Sequence, residues 1–374
     1  MKTEEISFYK EFSCIMSDCP HSCCKGWHIP VDETTLENYH KEKGIKGLML
    51  LFSTFKLEKR LTCLRGIYFG CNFRTGKNLC RFHKEGRFDL QPKICRNYPR
   101  RLVLYPDRME KTLDLSCYEA ARLFIKNPDK PKFIESEEET PLSEVTWVVE
   151  NDEEKYLFFL RDDRELLLKH ISRDRDIFAV MSDVYGYIWN MQQALVKDGV
   201  NAAKEIQNEG ILLLSEEKIK RPFYPIKMLN ELVFEEITEP DLFLRNPYLY
   251  KLTGKYEKHY KNIYERDADA FFLDAYTSMT ESGYIDPNKY RAYLSYSIQE
   301  NYCEAYEDYY PLGKILLDFV YIQFLMLFDT VMFLEGADPD INTQARVLSS
   351  VEKGIRHSNQ TEKQFLEKIR KSFM

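Results

Sequence analysis

The chain has 374 residues, of which 44% are hydrophobic, and a formal net charge of −7. That length leaves room for two or more domains and a sizeable core. The mild acidity argues against a nucleic-acid partner for the whole chain, and none is expected. The opening stretch, Met1 to Phe12, has no basic segment followed by an apolar one, so no secretory signal is expected and a cytoplasmic location is.

Nine of the ten cysteines fall in the first 117 residues. Cys14, Cys19, Cys23 and Cys24 read C-x4-C-x3-C-C, and Cys71, Cys80, Cys95 and Cys117 add four more thiols. In a reducing compartment such crowding points to metal rather than disulfides. Thiolates select zinc, copper(I) or iron–sulfur. The side chains of adjacent Cys23 and Cys24 are expected to diverge, which suits a polynuclear cluster or two neighbouring metals better than one ion. Simple zinc sites usually present C-x2-C pairs, and this chain has none, so the spacing leans toward iron–sulfur. Three arrangements stay open: two four-thiolate sites, one [4Fe-4S] cluster plus zinc, or one cluster with spare cysteines. Cys63 and Cys303 read as small buried hydrophobes. Between Cys63 and Arg101 there are ten basic residues and two acids. That cationic surplus is expected to favour thiolates and anionic clusters.

In chain order, the spacing predicts an irregular cysteine-rich metal-binding module over residues 1–125. Within it Asp32 starts a helix running through Tyr39 toward Lys43, with Gly44 as its stop, and glycines punctuate the loops around the later cysteines. A proline-rich, acidic linker follows at 126–141. Residues 142–374 read as an α-helical domain, so the fold class is mainly α. Helices are predicted at Asp152–Ile171, Arg173–Asp198 with Gly199 closing it, Pro287–Tyr310, and Leu312–Leu334 ending near Gly336. The last is apolar but carries Asp318, Gln323 and Asp329, each costly in a bilayer, so it reads as a core helix and not a membrane span. Tyr248–Tyr276 is ambiguous, and Thr361 and Gln364 have capping-box spacing.

Several fingerprints are absent. There is no G-x-G for a dinucleotide fold, no G-x4-G-K-[ST] phosphate loop, no H-E-x-x-H, and no C-x3-C-x2-C of the usual radical enzymes. From spacing alone, the chain is a soluble metalloprotein with a helical domain.

The string Phe12-Ser-Cys14, Cys19, Cys23-Cys24-Lys-Gly26-Trp27-His-Ile29, Asp32 and Thr35 resembles the opening of the flagellin lysine-N-methylases, in the CxxCxxCC zinc- or iron-chelating group. Cys80 to Gly86, with Leu90 and Cys95-Arg96-Asn-Tyr98-Pro99-Arg100, resembles that group's second motif. Leu115-Ser116-Cys117-Tyr-Glu119-Ala120-Ala121-Arg122-Leu123 resembles a third. Glu300-Asn301-Tyr302 and Arg356-His357-Ser-Asn359 are weaker landmarks. The spacing of the first four cysteines is looser than the group's name pattern. The resemblance implies methyl transfer from S-adenosylmethionine to lysine on flagellin or another lysine-bearing protein, and an iron–sulfur cluster. Glu300, Asn301 and Tyr302 are the candidate residues for a lysine pocket. A carboxylate there would orient the ammonium, and a tyrosine face would hold the sulfonium by cation–π attraction. The alternative is a non-enzymatic metal-handling or electron-transfer protein of the same group.

Overall fold

The computed structural model describes residues 1–58, 61–65, 71–76, 79–127, 132–136, 141–149, 154–213, 229, 246–263, 268–356 and 367. The fold is mainly α. The chain divides into two compact units. The first holds Met1–Leu123, Phe133–Glu150 and Pro240–Tyr248, and the second holds Phe124–Lys132, Asn151–Glu239 and Leu249–Met374. The weaker landmarks His357 and Asn359 and the capping pair Thr361 and Gln364 lie outside the described residues.

The first unit contains more strand than the expected irregular module. It begins with β1 (Lys2–Ile6), followed by α1 (Glu33–Lys41) and α2 (Gly44–Phe52). Asp32 caps α1 as the sequence predicts, its carboxylate accepting from the Thr35 amide at 3.0 Å. The helix stops at Glu42, and Gly44 does not close it. Gly44 opens α2 instead, with φ of +68°, because this left-handed residue makes the corner that starts a new helix. At Gly47 a Cβ would lie 2.1 Å from the Glu42 carbonyl oxygen, so only glycine permits so tight a corner. α2 buries Gly47 and Leu50 and turns Ile45, Leu48, Met49 and Phe52 outward.

Strands β2 (Thr54–Glu58) and β3 (Leu61–Leu64) pair antiparallel. Two short helices follow, α3 (Arg81–Lys84) and α4 (Lys93–Asn97), then β4 (Arg100–Leu104), β5 (Arg108–Leu113) and α5 (Tyr118–Lys126). With β6 (Phe133–Glu135) and β7 (Trp147–Val148) they complete a five-stranded sheet in the order β6-β1-β5-β4-β7. The segment expected as a linker therefore contributes an edge strand, β6, antiparallel to β1. The reason is polar pairing in the sheet. Glu5, 2% exposed, accepts from Ser136 at 2.7 Å and faces the equally buried Lys111 ammonium at 3.5 Å.

The second unit is helical in its described residues. It comprises α6 (Glu154–Ile171), α7 (Ile177–Asp198), α8 (Val200–Glu209), α9 (Pro247–Ile263), α10 (Ala268–Glu281), α11 (Asn288–Asn301), α12 (Pro311–Leu334) and α13 (Ile341–Val351), with the start of α9 belonging to the first unit. α7 starts four residues after Arg173, just past Asp176, whose side chain accepts from the Phe178 amide, and closes at Gly199 as predicted. The predicted helix over Pro287–Tyr310 is α11 followed by a 3-10 turn over Tyr302–Tyr306. The ambiguous tyrosine-rich stretch forms α9 and α10. α12 is long and apolar enough to cross a membrane by composition, and its apolar window is wholly buried inside the protein.

α11 is buried on nearly all sides, so its polar side chains need partners away from water. Lys289 donates to Asp329 at 2.7 Å and Tyr290 to the same carboxylate at 3.0 Å. Tyr293 donates to Glu352 and Ser297 to Asp318. Just past the helix, Tyr302 donates to Asp163 of α6, which also accepts from Tyr187 of α7 and, at 3.4 Å, from Gln207 of α8. Burial pushes the Asp163 carboxyl up to about 6, against the opposing pull of these donors.

Two predictions follow from this network. Lys289→Met, which leaves Asp329 buried beside one hydroxyl, should cost about 3 kcal/mol of unfolding free energy. The double variant Lys289→Met/Asp329→Leu should recover much of it in denaturant titrations; a single-variant loss below about 1 kcal/mol would show that the pair is not holding the core. For Asp163, the native state binds its proton more tightly than the unfolded chain does. The stability it supplies is full below the unfolded value of 3.8 and is lost as pH rises through about 6. The stability of wild type relative to Asp163→Asn should therefore grow on going from pH 7 to pH 4, by on the order of 3 kcal/mol. A difference that stays flat with pH would contradict the burial of an ionisable carboxyl there.

Candidate metal centre

The cysteine motif turns at Gly26, whose φ of +93° a side chain would resist, and the Trp27 indole N–H donates to the Cys23 carbonyl at 2.9 Å. The turn brings the Cys23 and Cys24 sulfurs to 3.9 Å. The expected divergence of these neighbours is therefore corrected: they converge. With metal–sulfur bonds near 2.3 Å, the edge of a tetrahedral thiolate site is roughly 3.8 Å, so adjacency is no argument against a shared ion. The Cys71 amide donates to the Cys24 carbonyl at 2.9 Å. Cys80 sits at the start of α3 and Cys95 within α4. α4 is tied to α1 through one carboxylate, as Asp32 accepts from the Lys93 amide at 2.7 Å and from the Thr35 hydroxyl at 2.8 Å. Cys71, Cys80 and Cys95 all pack against one apolar cluster of Ile29, Val31, Tyr39, Leu50, Leu64, Phe82 and Leu90.

Cys24, Cys71, Cys80 and Cys95 resist ionisation. For Cys24 the contact with Cys23 comes first, then burial, then the charges of Cys71 and Cys95. Burial pushes Cys71 up to about 11, with Cys80 and Cys23 adding to it. Cys95 is raised by burial and then by Cys71, Cys23 and Cys80, and Cys80 by burial with a smaller push from Cys23. Opposing this, the amides of Phe73, and of His83 and Phe82, favour the thiolates of Cys71 and Cys80. A cation among these thiols would invert the electrostatic cost.

Cys117 begins α5 and is raised by burial, eased by the amides of Ala120 and Glu119, and raised further by Cys19 and Cys23. Cys23 thus lies within electrostatic reach of Cys71, Cys80, Cys95 and Cys117. The third motif makes structural sense around it. Glu119 takes a forked pair of hydrogen bonds from Arg122 at 2.5 and 2.6 Å. Ala120 and Ala121 are fully buried, and Ser116 meets the Tyr98 hydroxyl at 3.0 Å. Cys14 is exposed, Cys63 and Cys303 are buried, and all ten cysteines are free thiols. Among the described residues no three His, Cys, Asp or Glu side chains are close enough to enclose a metal ion as they stand.

Most of the nearby cations serve the fold instead. Arg87 pairs with Glu42 at 2.5 Å and Asp89 at 2.7 Å, Arg81 with Glu85 at 2.8 Å, and Arg96 holds the carbonyls of Phe88 and Gln91. Arg100 lies over the Phe12 ring and Arg101 over Trp147. Arg74 eases ionisation of Cys71, and Arg96 that of Cys95.

The helical candidates lie at the end of α11. Asn301 donates back to the Ser297 carbonyl at 3.1 Å, and Glu300 is half-buried. Tyr302 is fully buried with its hydroxyl on Asp163, so it does not offer a ring face to a pocket. Asp163 and Tyr39 carry no motif, and composition alone does not mark them.

No family model and no solved structure matches the chain. Curated proteins do. Flagellar biosynthetic protein FliU of Salmonella muenchen is 28% identical over 131 residues, covering 33% of this chain and 78% of that protein. Lysine-N-methylases of Salmonella choleraesuis and Salmonella typhimurium are each 28% identical over 131 residues, covering 33% of this chain. The matched stretch spans a third of the length of the two lysine-N-methylases. Over a third of its length, the chain is similar to proteins named lysine-N-methylase and flagellar biosynthetic protein FliU.

Proposed function

We propose that this chain is an S-adenosylmethionine-dependent protein lysine N-methyltransferase. It acts in the cytoplasm on flagellin or another lysine-bearing protein and carries a cysteine-ligated [4Fe-4S] cluster, with zinc as the alternative occupant. The similarity to lysine-N-methylases carries the activity. The crowd of mutually opposed thiols supports the metal: Cys23, Cys24, Cys71, Cys80 and Cys95 form its centre, with Cys19 and Cys117 beside Cys23. Cys14 completes the eight proposed ligands.

Methyl transfer needs a neutral lysine nitrogen in line with the sulfonium methyl. The nitrogen lone pair forms the new N–C bond, the C–S bond breaks with its electrons going to sulfur, and the spare proton passes to an acceptor. Glu300 and Asn301 are the proposed pocket residues, the carboxylate orienting the amine and receiving the proton. Tyr302 and Asp163 act through them, holding the end of α11 in place. The cluster, when bound, supplies a rigid anchor for the cysteine unit or a site for the donor's amino and carboxylate groups.

A metal-handling role is the second reading, favoured by the exposure of Cys14 and Cys23. It requires metal that a chelator strips readily from the native protein.

Anaerobically purified protein should contain iron and acid-labile sulfide. Cys71→Ser, Cys80→Ser and Cys95→Ser should lose it, whereas Cys63→Ser and Cys303→Ser should keep it. Stoichiometric zinc without sulfide would replace the cluster with a structural zinc. With labelled S-adenosylmethionine and flagellin, label should appear on lysine, and Glu300→Gln should slow transfer by roughly 10²–10⁴-fold. Metal-loaded protein that transfers no label to any lysine-bearing substrate would end the methyltransferase reading.

A further inference from the structure

Tyr39 sits on α1 with its side chain fully buried. Its ring lies 6.4 Å from Phe82, which in turn lies tilted against Phe73 with centroids 4.3 Å apart. These aromatics belong to the apolar floor on which Cys71, Cys80 and Cys95 rest. The Tyr39 hydroxyl is cut off from water and has no hydrogen-bond partner among the described residues. A core position that needed only an aromatic body would be filled equally well by phenylalanine, without a buried polar atom to satisfy.

The thiols of Cys71, Cys80 and Cys95 pack against the same apolar cluster that holds the Tyr39 ring. Burial first, then Cys71, Cys95, Asp32 and Cys80, hold the hydroxyl proton in place. Asp32 is already occupied by the Thr35 and Lys93 amides and the Thr35 hydroxyl. The thiols packed on the same cluster can accept, and a neutral thiol does so weakly. A thiolate bound to a metal is a much stronger acceptor. Hydrogen bonds to ligating sulfurs tune the affinity and potential of such sites.

We propose that Tyr39 is a positioning residue of the metal centre, its hydroxyl donating to a ligated sulfur of Cys71, Cys95 or Cys80 once metal is bound. The inference rests on the metal reading above and names an outer partner of that site. It gives the hydroxyl a partner in the loaded protein, where none is present among the described residues.

The test uses the full-length chain and Tyr39→Phe, which keeps the ring and removes only the hydroxyl. Metal-free protein should melt at the same temperature or higher with phenylalanine. After anaerobic reconstitution with ferrous iron and sulfide, the variant's midpoint potential should shift to a more negative value, because a donor that stabilised the reduced, more anionic cluster is gone. If zinc is the occupant, competition with a chromophoric chelator should show affinity lower by roughly tenfold or more. Wild type and variant with equal potentials and equal affinities would overturn the role of Tyr39 while leaving the metal centre intact. A lower melting temperature of the metal-free variant would overturn it too, by showing that the hydroxyl already has a structural partner. Wild-type protein that takes up neither iron–sulfur nor zinc would remove the metal reading itself.

Discussion

A polar group taken out of water has to be paired, and both units of this protein are organised around that requirement. In the helical unit the demand is concentrated on α11, which is buried on almost every side. Its successive turns deliver a lysine, tyrosines and a serine to Asp329, Glu352 and Asp318, and the residue following it reaches Asp163. The acids come from α6, α12 and the turn after α13, so the pairs set where those elements lie as well as satisfying α11. Two of these carboxyls, Asp163 and Asp329, are held above the usual carboxylate range by burial, a sign of how dry that interior is.

The cysteine unit meets the same requirement with different chemistry. Its apolar cluster is modest, built on residues such as Tyr39, Leu50, Phe82 and Leu90, and thiols fill its margin. Free thiols are tolerable there as weakly polar groups. As thiolates they would repel one another, and each raises the cost of ionising its neighbours. In the proposed reading a bound metal resolves that repulsion, and its binding energy becomes folding energy for the unit. The amides of Phe73, Phe82, His83, Glu119 and Ala120 face the sulfurs of Cys71, Cys80 and Cys117. They are fixed dipoles that lower the cost of the charged form.

The surplus of basic residues has a plainer meaning than its local density suggests. Arg81, Arg87, Arg96, Arg100 and Arg101 hold loops and strand ends through carboxylates, carbonyls and ring faces. A unit with short helices and many turns leaves many backbone carbonyls to satisfy, and guanidinium groups with several donors each do this well. Among the described residues, Arg74 and Arg96 ease ionisation of Cys71 and Cys95.

Much of the local structure was legible in the chain itself, because it depends on neighbours in sequence. Asp32 as a cap, Gly199 as a stop, the burial of Leu312–Leu334 and the crowding of cysteines all rest on short-range rules of capping, periodicity and residue type. The strand at Phe133–Glu135 was not legible, since its reason is the buried contact of Glu5 with Lys111 and Ser136, each more than 100 positions away from it. Nor was the fate of Tyr302, which by type suits a ligand pocket and by position belongs to Asp163. The convergence of Cys23 and Cys24 is a matter of side-chain placement that spacing does not reveal, and the grouping of Cys71, Cys80 and Cys95 depends on packing against a shared core. Sequence determined which chemical groups the protein owns and where its local elements begin. Tertiary structure alone decided which groups meet, because burial and long-range pairing assign each polar atom its partner.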